Sequence, residues 1–496
     1  MRRFLFILFF IPNTVLAQQV SAMRNSMVKI FVHKQEMDVH EPWKNGHVYT
    51  EEHIGTVVST DSDGEKGILI KASALSFAKR IEMQALPGIE RIELLPHFVD
   101  SEVNLAVLEA VDSEALRSFR PVMISEQELP IEDEVFLFSF DTEDHIIRIR
   151  STLRTVNFGE RMDTSSYPTI NYVFKVPRKD LGWSEPVLSK GRLVALAVGE
   201  DEDDNVHCIP GSLVYHFLKD SLDEDYRGFP TAGIEYTSLS SPHTRDALGL
   251  DKKVQGVLIN EVKKNSSFDG QIKKGDVLIT LDGRKINTNG TTTHYFWGEM
   301  PTGSMLYKRY AGDKISIEVL RNKKILKFTA PLKRYDSNGA LIPYYLSGKV
   351  PFLIAGGLVF QELNRPYLRA WGKNWLGDSP SSLSYLWHFK NDVPEKKGEH
   401  IILLSQILAD LVNKGYEGIG NAVVDSVNNK PIHSLADLKE ALEKPVSKNN
   451  ELFAQIKLGY GEGELILPMK DLKEANLRIG SNYGINDKTG FFNPLQ

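Results

Sequence analysis

Nucleophilic chemistry in this sequence would require a serine or the single cysteine to lie beside a suitable base. Hydrolysis by a serine or cysteine needs a histidine to take up the proton and an acid to orient that histidine. The chain has one cysteine, Cys208, and the candidate bases in its N-terminal part include His53, His97, His145 and His207. His207 and Cys208 are neighbours in a predicted strand, so their side chains should point to opposite faces. We expect Cys208 to be a small buried hydrophobe and the histidines to be surface or hydrogen-bonded residues.

Motifs for metal or redox chemistry are missing from the sequence. It contains neither HExxH nor CxxC, and a single cysteine excludes an intramolecular disulfide. The acidic run Glu200–Asp204 lacks the alternating spacing of a calcium loop, so we interpret it as a solvated turn. We expect no metal and no cofactor.

Residues 1–17 have the pattern of an export signal. Arg2 and Arg3 precede the apolar run Phe4–Phe10, and Val15-Leu16-Ala17 suits a signal-peptidase site. The apolar run is shorter than the ~20 residues that span a bilayer. We therefore predict cleavage near Ala17, a periplasmic or extracellular location, and no transmembrane segment.

The length and charge of the chain limit its class. A chain of 496 residues exceeds one hydrophobic core, so several domains are expected. Its net charge of −6 at pH 7 argues against a nucleic-acid partner, which would require a basic surface.

Hydrophobic periodicity divides the chain into three units. Residues 26–225 contain many short Val-, Ile- and Phe-rich runs separated by Gly, Pro, Asp and Asn, which indicates an antiparallel β-barrel or sandwich. The stretch Gly211–Leu222 has helical spacing and should close this domain. Smaller units follow at 228–335 and 351–475, and 481–496 is expected to be a loosely held tail.

The middle unit resembles a PDZ domain. A strand beginning at Gly256 leads into the turn Lys273–Asp276 (KKGD), and the next strand ends at Asp282-Gly283, a pair that tolerates positive φ. The segment Ala311–Lys314 (AGDK) then opens a strand that should pair with Lys324–Thr329.

With this unit placed, the whole chain resembles the HtrA/Deg family, in which a chymotrypsin-like double β-barrel precedes two PDZ (α+β) domains. The third unit is similar to the specialised second PDZ domain of the plant-type Deg branch in four segments: Ala355–Phe360 (AGGLVF), Pro366–Leu368 (PYL), Leu403–Leu408 (LLSQIL) and Gly415–Glu417 (GYE). The resemblance covers about residues 26 to 475. It implies a mainly β fold and a homo-oligomer built from trimers.

Members of this family carry the three triad residues in recognisable sequence segments. In the matching segments of this chain, two of the three positions hold unsuitable residues. The segment that carries the histidine matches Ile68–Leu75, where Ser73 stands at the histidine position. The segment that carries the aspartate matches Asn104–Leu108, where Asn104 replaces the acid. An amide can still accept a hydrogen bond, but it has no charge to support an imidazolium.

The nucleophile segment of the family matches Leu181–Pro186 (LGWSEP). Counted without a gap from Pro186, Trp183 takes the serine position. A shift of one residue would place Ser184 there instead, and Glu185 would then bring a carboxylate close to the oxyanion. A working triad in these frames is therefore not expected, and no catalytic residue is assigned.

Peptide binding remains as a function that the sequence supports. PDZ domains add an extended peptide to a sheet edge and hold its carboxylate with backbone N–H groups. The resemblance assigns this role to Ala232, Gly233, Ile234 and Tyr236. The segment Gly356–Phe360 could form a comparable loop in the third unit or pack within an assembly, and the sequence leaves this open.

Several aromatic residues allow either a sugar-binding platform or simple packing. They are Tyr295, Trp297, Trp371, Trp375 and Trp387. We interpret them as packing residues.

The sequence thus predicts an exported HtrA/Deg-like pseudoprotease that binds unfolded polypeptides or protein C-termini as a chaperone, adaptor or scaffold. One alternative is an active serine endopeptidase with a displaced triad around Ser184. Another is a structural subunit that holds a partner complex together and binds no free peptide.

Overall fold

The structure is a computed structural model that describes residues 20–60, 64–84, 90–160, 168–222, 225–334, 339–344, 350–372, 374–390, 394, 396, 398–486 and 490–492. The predicted export signal, residues 1–17, lies outside them. The described residues form two compact units, one from the segments up to 33 and from 50 to 334, the other from 34–49 and 339 onwards. Among the described helices, none has both the length and the apolar character that crossing a bilayer requires.

Two closed six-stranded barrels open the first unit, as predicted. The first barrel has the order β1-β2-β3-β6-β5-β4 and comprises β1 Met27–Met37, β2 Asn45–Ser59, β3 Lys66–Lys71, β4 Ala78–Gln84, β5 Ile92–Asp100 and β6 Leu105–Ala110. The second has the order β10-β11-β12-β9-β8-β7 and comprises β7 Glu134–Phe140, β8 Ile146–Glu160, β9 Pro168–Lys175, β10 Pro186–Ser189, β11 Arg192–Glu200 and β12 Asn205–Pro210.

Alternating apolar side chains fill these barrels. Val28, Ile30 and Val32 of β1 are fully buried, because a strand sends every second side chain to the same face. Helix α1, Gly211–Ser221, closes the second barrel with Leu213 and Val214, which confirms the predicted helix. Cys208 is buried in β12, as expected.

A separate antiparallel sheet, which we call the first PDZ sheet, follows in the same unit. Its main path is β14-β15-β16-β20-β21, with β17 paired to β16. The elements of this region are β13 Pro230–Thr231, β14 Ile234–Ser238, α2 Pro242–Ala247, β15 Val257–Val262, β16 Val277–Leu281, β17 Arg284–Lys285, β18 Thr291–His294, β19 Gly298–Pro301, β20 Lys314–Arg321, β21 Lys324–Pro331 and β22 Lys333–Arg334. The predicted turn at Asp282-Gly283 is present with positive φ at both residues.

The β18–β19 hairpin fastens this sheet to the second barrel. The indole N–H of Trp297 donates to the carbonyl of Leu129 at 2.9 Å, and its ring lies 5.8 Å from that of Tyr172. The packing interpretation is therefore confirmed for Trp297. It is wrong for Tyr295, which is 91% exposed at the tip of the hairpin, because the ring of Phe296, 4.8 Å away, leaves most of the side chain in solvent.

The second unit is built on an eight-stranded sheet with the path β23-β24-β25-β26-β29-β28, which we call the second PDZ sheet. Its strands are β23 Phe352–Ala355, β24 Leu358–Glu362, β25 Ile402–Ile407, β26 Ala422–Val427, β27 Lys430–Pro431, β28 Val446–Lys448, β29 Glu451–Leu458 and β30 Glu464–Pro468. Its helices are α3 Arg365–Arg369, α4 Trp375–Asp378, α5 Ser381–Lys390, α6 Leu435–Leu442 and α7 Leu472–Asn482.

Aromatic contacts hold the parts of this unit together. Trp375 and Trp387 are both buried with their rings 5.4 Å apart, and the ring of Trp371 lies 5.5 Å from that of Tyr367. The packing interpretation is confirmed for all three tryptophans. The segment 34–49 belongs to the same unit, where the carbonyl of Val39 accepts from Gln361 Nε2 at 3.0 Å.

Residues 490–492 of the predicted tail are held more firmly than the sequence suggested, whereas 487–489 and 493–496 lie outside the described residues. Phe492 is 1% exposed, and its carbonyl accepts from Asn476 Nδ2 of α7 at 2.6 Å. Its backbone N–H donates to Ile354 of β23 at 2.8 Å. The expectation of a loosely held tail is therefore wrong at this residue. The pair Phe491-Phe492, in a segment without periodicity, gives no local sign that a distant strand will cover it.

Replacing Phe492 with alanine should destabilise the second unit, because loss of a buried phenyl ring costs about 3–5 kcal/mol. We expect a lower urea midpoint for this unit and faster amide exchange in α7, measured by mass spectrometry. Phe389→Ala, at a position 67% exposed, is the control and should change neither. Equal effects of the two variants would contradict the anchoring role.

Candidate functional site

The structure brings the three family positions together where the two barrels meet. The backbone N–H of Ser73 donates to Asn104 Oδ1 at 2.7 Å. The backbone N–H of Lys71, two residues before Ser73, donates to Ser184 Oγ at 3.0 Å. The segments that the sequence matched to the family frames are therefore neighbours in space.

Asn104, at the aspartate position of the family segment, still accepts a hydrogen bond from the backbone but cannot accept one from a histidine through its second polar atom. The residue is buried and adopts a positive φ of 58°. Its Oδ1 holds the backbone of Ser73, whereas its buried Nδ2 has no hydrogen-bond partner among the described residues. In a working triad the second carboxylate oxygen would accept from the histidine ring. Here an amide donor stands beside a serine.

Trp183 and Ser184, the two residues that the alignment allows at the serine position, differ in exposure. Ser184 is completely buried, and its N–H donates to the carbonyl of Ala197 at 3.1 Å. The side chain of Trp183 is 40% exposed, and Lys71 Nζ lies 4.9 Å from the centre of its ring. Since a nucleophile must reach the surface of its site, this geometry favours the ungapped alignment.

Two carboxylates accept hydrogen bonds from the backbone of the nucleophile segment. Glu185 Oε2 accepts from the N–H of Trp183 at 2.7 Å and from that of Gly182 at 2.9 Å. Glu200 Oε2 accepts from the N–H of Leu181 at 3.1 Å. Trypsin-like proteases stabilise the oxyanion with the N–H of the nucleophile and the N–H two residues before it. With Trp183 at the serine position, the corresponding donors are the N–H groups of Trp183 and Leu181, and both are bonded to the chain's own carboxylates.

The buried Glu185 carboxyl has an unusual protonation equilibrium. Loss of hydration raises its pKa to about 7, although the N–H groups of Gly182 and Trp183 and the charge of Lys71 act in the opposite direction. Lys71 Nζ donates to the carbonyl of Gly182 at 2.6 Å, which places the ammonium group beside this segment.

The candidate histidines pair with acids rather than with the serine. His53 Nε2 lies 3.1 Å from Glu51 Oε2, and the imidazole contacts the Trp183 ring edge-to-face at 5.2 Å. His97, His145 and His207 pair with Glu109, Asp141 and Asp201 respectively. Within the described part of the chain, no histidine hydrogen-bonds to Ser184 Oγ. The prediction that these histidines are surface or hydrogen-bonded residues is confirmed.

The residues assigned to peptide binding lie at one edge of the first PDZ sheet. Gly233 adopts a positive φ of 64° immediately before β14, and its carbonyl accepts from the N–H of Lys263 at 2.8 Å. A Cβ on Gly233 would lie only 2.3 Å from Ser266 Cβ, so a glycine is required. Ala232, Ile234 and Tyr236 are partly buried against the core of this domain. Within the described residues β14 has a strand on one side only, and its other edge is open.

Tyr236 forms one wall beside this open edge. Its hydroxyl donates to the carbonyl of Gly290 at 3.3 Å, and burial raises the pKa of the phenol. A Cβ on Gly290 would lie 2.5 Å from the ring. Tyr236 therefore packs across the space between β14 and the segment that follows β17.

The comparable edge in the second PDZ sheet is already covered. Strand β24 pairs with β25 on one side and with β23 on the other, through the register Ile354↔Val359. The Gly356 N–H donates to Asn476 Oδ1 at 2.9 Å, and its carbonyl accepts from Asn413 Nδ2 at 2.8 Å. This loop, which the sequence left open between two roles, packs within its own domain.

Comparisons with known proteins agree with this architecture. Models described as PDZ domain match residues 230–332 and 342–490. The chain is 28% identical over 291 residues to Protease Do-like 2, chloroplastic, of Arabidopsis thaliana, covering 58% of this chain and 45% of that protein. It is 24% identical over 442 residues to Protease Do-like 4, mitochondrial, of the same plant, covering 87% and 79% respectively. This chain thus spans about half the length of the first relative.

A solved structure gives a similar result for the fold. A serine-to-alanine variant of the HtrA-type protease AlgW, with a decapeptide, aligns with a TM-score of 0.50 at 16% identity, covering 64% of this chain and 97% of that chain. Two closed barrels followed by two PDZ domains define a protein of the trypsin-like double-barrel class with C-terminal PDZ domains. The chain belongs to the HtrA/Deg family.

Replacing Glu185 with glutamine should remove a pH-dependent loss of stability. The folded-state pKa of about 7 exceeds the ordinary value of 4.5, so between these values the folded state binds the additional proton. The stabilisation is complete below pH 4.5 and is lost as the pH rises through 7. We expect the stability of the variant relative to wild type to improve by roughly 3 kcal/mol between pH 4.5 and 8, measured by urea unfolding. Glu143→Gln, on an exposed turn, is the control, and parallel profiles for Glu185→Gln and wild type would contradict the assignment.

Proposed function

We propose that this chain is an exported, non-proteolytic member of the HtrA/Deg family that binds polypeptide C-termini through its first PDZ domain. It acts as a chaperone, adaptor or scaffold and assembles as trimers or multiples of trimers. The observation that carries the proposal is the nucleophile segment, where Trp183 takes the surface position and its N–H is bonded to Glu185. A substrate carbonyl would meet neither a hydroxyl nor a free oxyanion donor there.

The first PDZ domain supports the binding half of the proposal. The edge of β14 from Ile234 to Thr237 is open within the described residues, and the loop at Gly233 lies at its beginning. Backbone groups of an added peptide would pair with this edge, and the loop would receive the terminal carboxylate. The second PDZ domain lacks this possibility, because β23 occupies the equivalent edge.

An active endopeptidase is the alternative, and the names of the relatives, which include the word protease, favour it. It would require Ser184 Oγ to leave its bond with the Lys71 N–H and to reach a base. The buried hydroxyl and the amide at Asn104 weigh against this alternative.

Purified protein should not hydrolyse casein, because no described histidine is positioned to activate Ser184. A fluorophosphonate probe, which labels activated serines, should not modify Ser184 either, as determined by peptide mass spectrometry. Ser184→Ala is the comparison. Hydrolysis by the wild type that disappears in this variant, or stoichiometric labelling of Ser184, would refute the pseudoprotease assignment.

Peptides with a free C-terminus should bind the full chain, and Gly233→Trp should abolish the binding by filling the carboxylate loop. Fluorescence anisotropy with a pool of C-terminal decapeptides measures this, and the same pool with amidated C-termini should bind at least tenfold more weakly. Gly249→Trp is the matched control, since Gly249 also has positive φ but an added Cβ meets no atom within 4 Å. Absence of binding to the wild type would support the scaffold alternative instead.

A further inference from the structure

Two domains of this chain differ strongly in their net charge. Residues 228–335 contain 18 Lys and Arg against 10 Asp and Glu, whereas residues 26–225 contain 20 against 37. A chain with a net charge of −6 therefore combines an acidic barrel region with a basic first PDZ domain.

Four adjacent lysine pairs contribute much of this positive charge. They are Lys252-Lys253, Lys263-Lys264, Lys273-Lys274 and Lys323-Lys324. Among them, Lys273, Lys274, Lys323 and Lys324 are exposed and, within the described residues, have no carboxylate partner. By contrast, the nearby Arg321 is paired with Asp276 at 2.7 Å. Lys263, which adjoins the Gly233 loop, is paired with Glu235 of β14 at 2.7 Å, so the four lysines without a partner among the described carboxylates carry the positive charge available to a ligand.

Strand register places three of the four pairs at one end of the first PDZ sheet. Ile234 pairs with Val262 at the end of β15, next to Lys263. Leu258 of β15 pairs with Val277, the first residue of β16, three residues after Lys274. Val277 pairs in turn with Leu320, close to the β20–β21 turn that carries Lys323. The fourth pair, Lys252-Lys253, precedes β15 and lies at the opposite end.

The basic end is also the end with the carboxylate loop. The N–H of Lys263 donates to the carbonyl of Gly233 at 2.8 Å, and Lys263 Cβ lies 3.4 Å from the position that a Cβ on Gly233 would occupy. An extended peptide advances about 3.3 Å per residue. Because neighbouring strands lie about 4.8 Å apart, a peptide on β14 would lie roughly 14 Å from the segment before β16 and roughly 20 Å from the β20–β21 turn. These distances fall within one Debye length at low salt, where it is about 30 Å at 0.01 M.

We infer that the first PDZ domain selects polypeptides whose C-terminal segments are acidic. The inference rests on the proposed function, because it assigns a ligand class to the same edge. Acidic side chains near the terminal carboxylate gain attraction from the lysine pairs, and this attraction chiefly raises the association rate and weakens with salt. A peptide fits better than nucleic acid, since β14 offers main-chain donors and acceptors that an extended peptide can pair with.

Matched decapeptides test this inference on the full chain. Both have a free C-terminal valine, and the four preceding residues are Asp and Glu in one peptide and Asn and Gln in the other. We expect the acidic peptide to bind about tenfold more tightly at low salt and the difference to shrink as the salt concentration rises. Fluorescence anisotropy gives both affinities.

Charge reversal at the two ends of the sheet supplies the control. Lys273→Glu, Lys274→Glu, Lys323→Glu and Lys324→Glu together should remove the preference for the acidic peptide. Lys252→Glu with Lys253→Glu, which reverses one pair at the far end, should preserve most of it. Loss of the preference in both sets to the same degree would overturn the inference, because position would then have no effect.

Separate outcomes distinguish this inference from the function on which it rests. If both peptides bind equally and Gly233→Trp abolishes both, peptide binding is supported and the acidic preference is refuted. If neither binds, the proposed function itself fails. If the acidic peptide still binds Gly233→Trp, or if phosphatidylserine vesicles bind and no peptide competes, the lysines form a general anionic surface and the inference is overturned.

Discussion

The hydrogen bonds that Glu185 accepts from Gly182 and Trp183 constrain the segment that lies between the two barrels. The segment Leu181–Pro186 turns sharply, with positive φ at Gly182 and Ser184, and such a turn points several N–H groups in one direction. In a protease these N–H groups donate hydrogen bonds to the oxyanion of the reaction intermediate. Here the carboxyl of Glu185 accepts hydrogen bonds from two of these N–H groups, on Gly182 and Trp183, and so stabilises the turn.

Neighbouring residues also hold the segment Leu181–Pro186 in place. Lys71 brings a positive charge beside the segment, and its backbone holds Ser184 inside the protein. Gly182 passes so close to Gly199 that a Cβ would lie 2.5 Å from the Gly199 Cα. These contacts leave Trp183 as the part of the segment that faces outward. The polar groups of this segment thus bond to other parts of the same domain.

The two PDZ domains differ at the sheet edge beside the glycine-containing loop. In the part of the chain that the structure describes, this edge is open in the first domain and paired with another strand in the second. In both sheets the strand after a glycine-containing loop borders a possible ligand edge. In the second sheet β23 has paired with that edge, and Asn476 and Asn413 have taken the polar groups of the loop. In the first sheet the corresponding edge of β14 is open among the described residues. The two related modules thus differ in whether this edge is available for pairing with another strand.

Much of this could be predicted from the sequence, and the exceptions have physical causes. The meeting of Ser73 and Asn104 was predictable because each lies in a short segment with a recognisable pattern. The choice between Trp183 and Ser184 was not, since it depends on a bond from Lys71, which is 113 residues away in the chain. Glu200 was assigned only to a solvated turn, because its reach back to Leu181 arises from barrel closure rather than from local pattern. Phe492 shows the same limit at the end of the chain.

Amide hydrogen exchange at Gly182 and Trp183 tests the central claim most directly. If the carboxylate of Glu185 occupies these donors, both amides are strongly protected in the wild type and lose protection in Glu185→Ala, while the amides of β11 stay protected. Rapid exchange of both amides in the folded wild-type protein would contradict the account and would leave the donors available to a substrate.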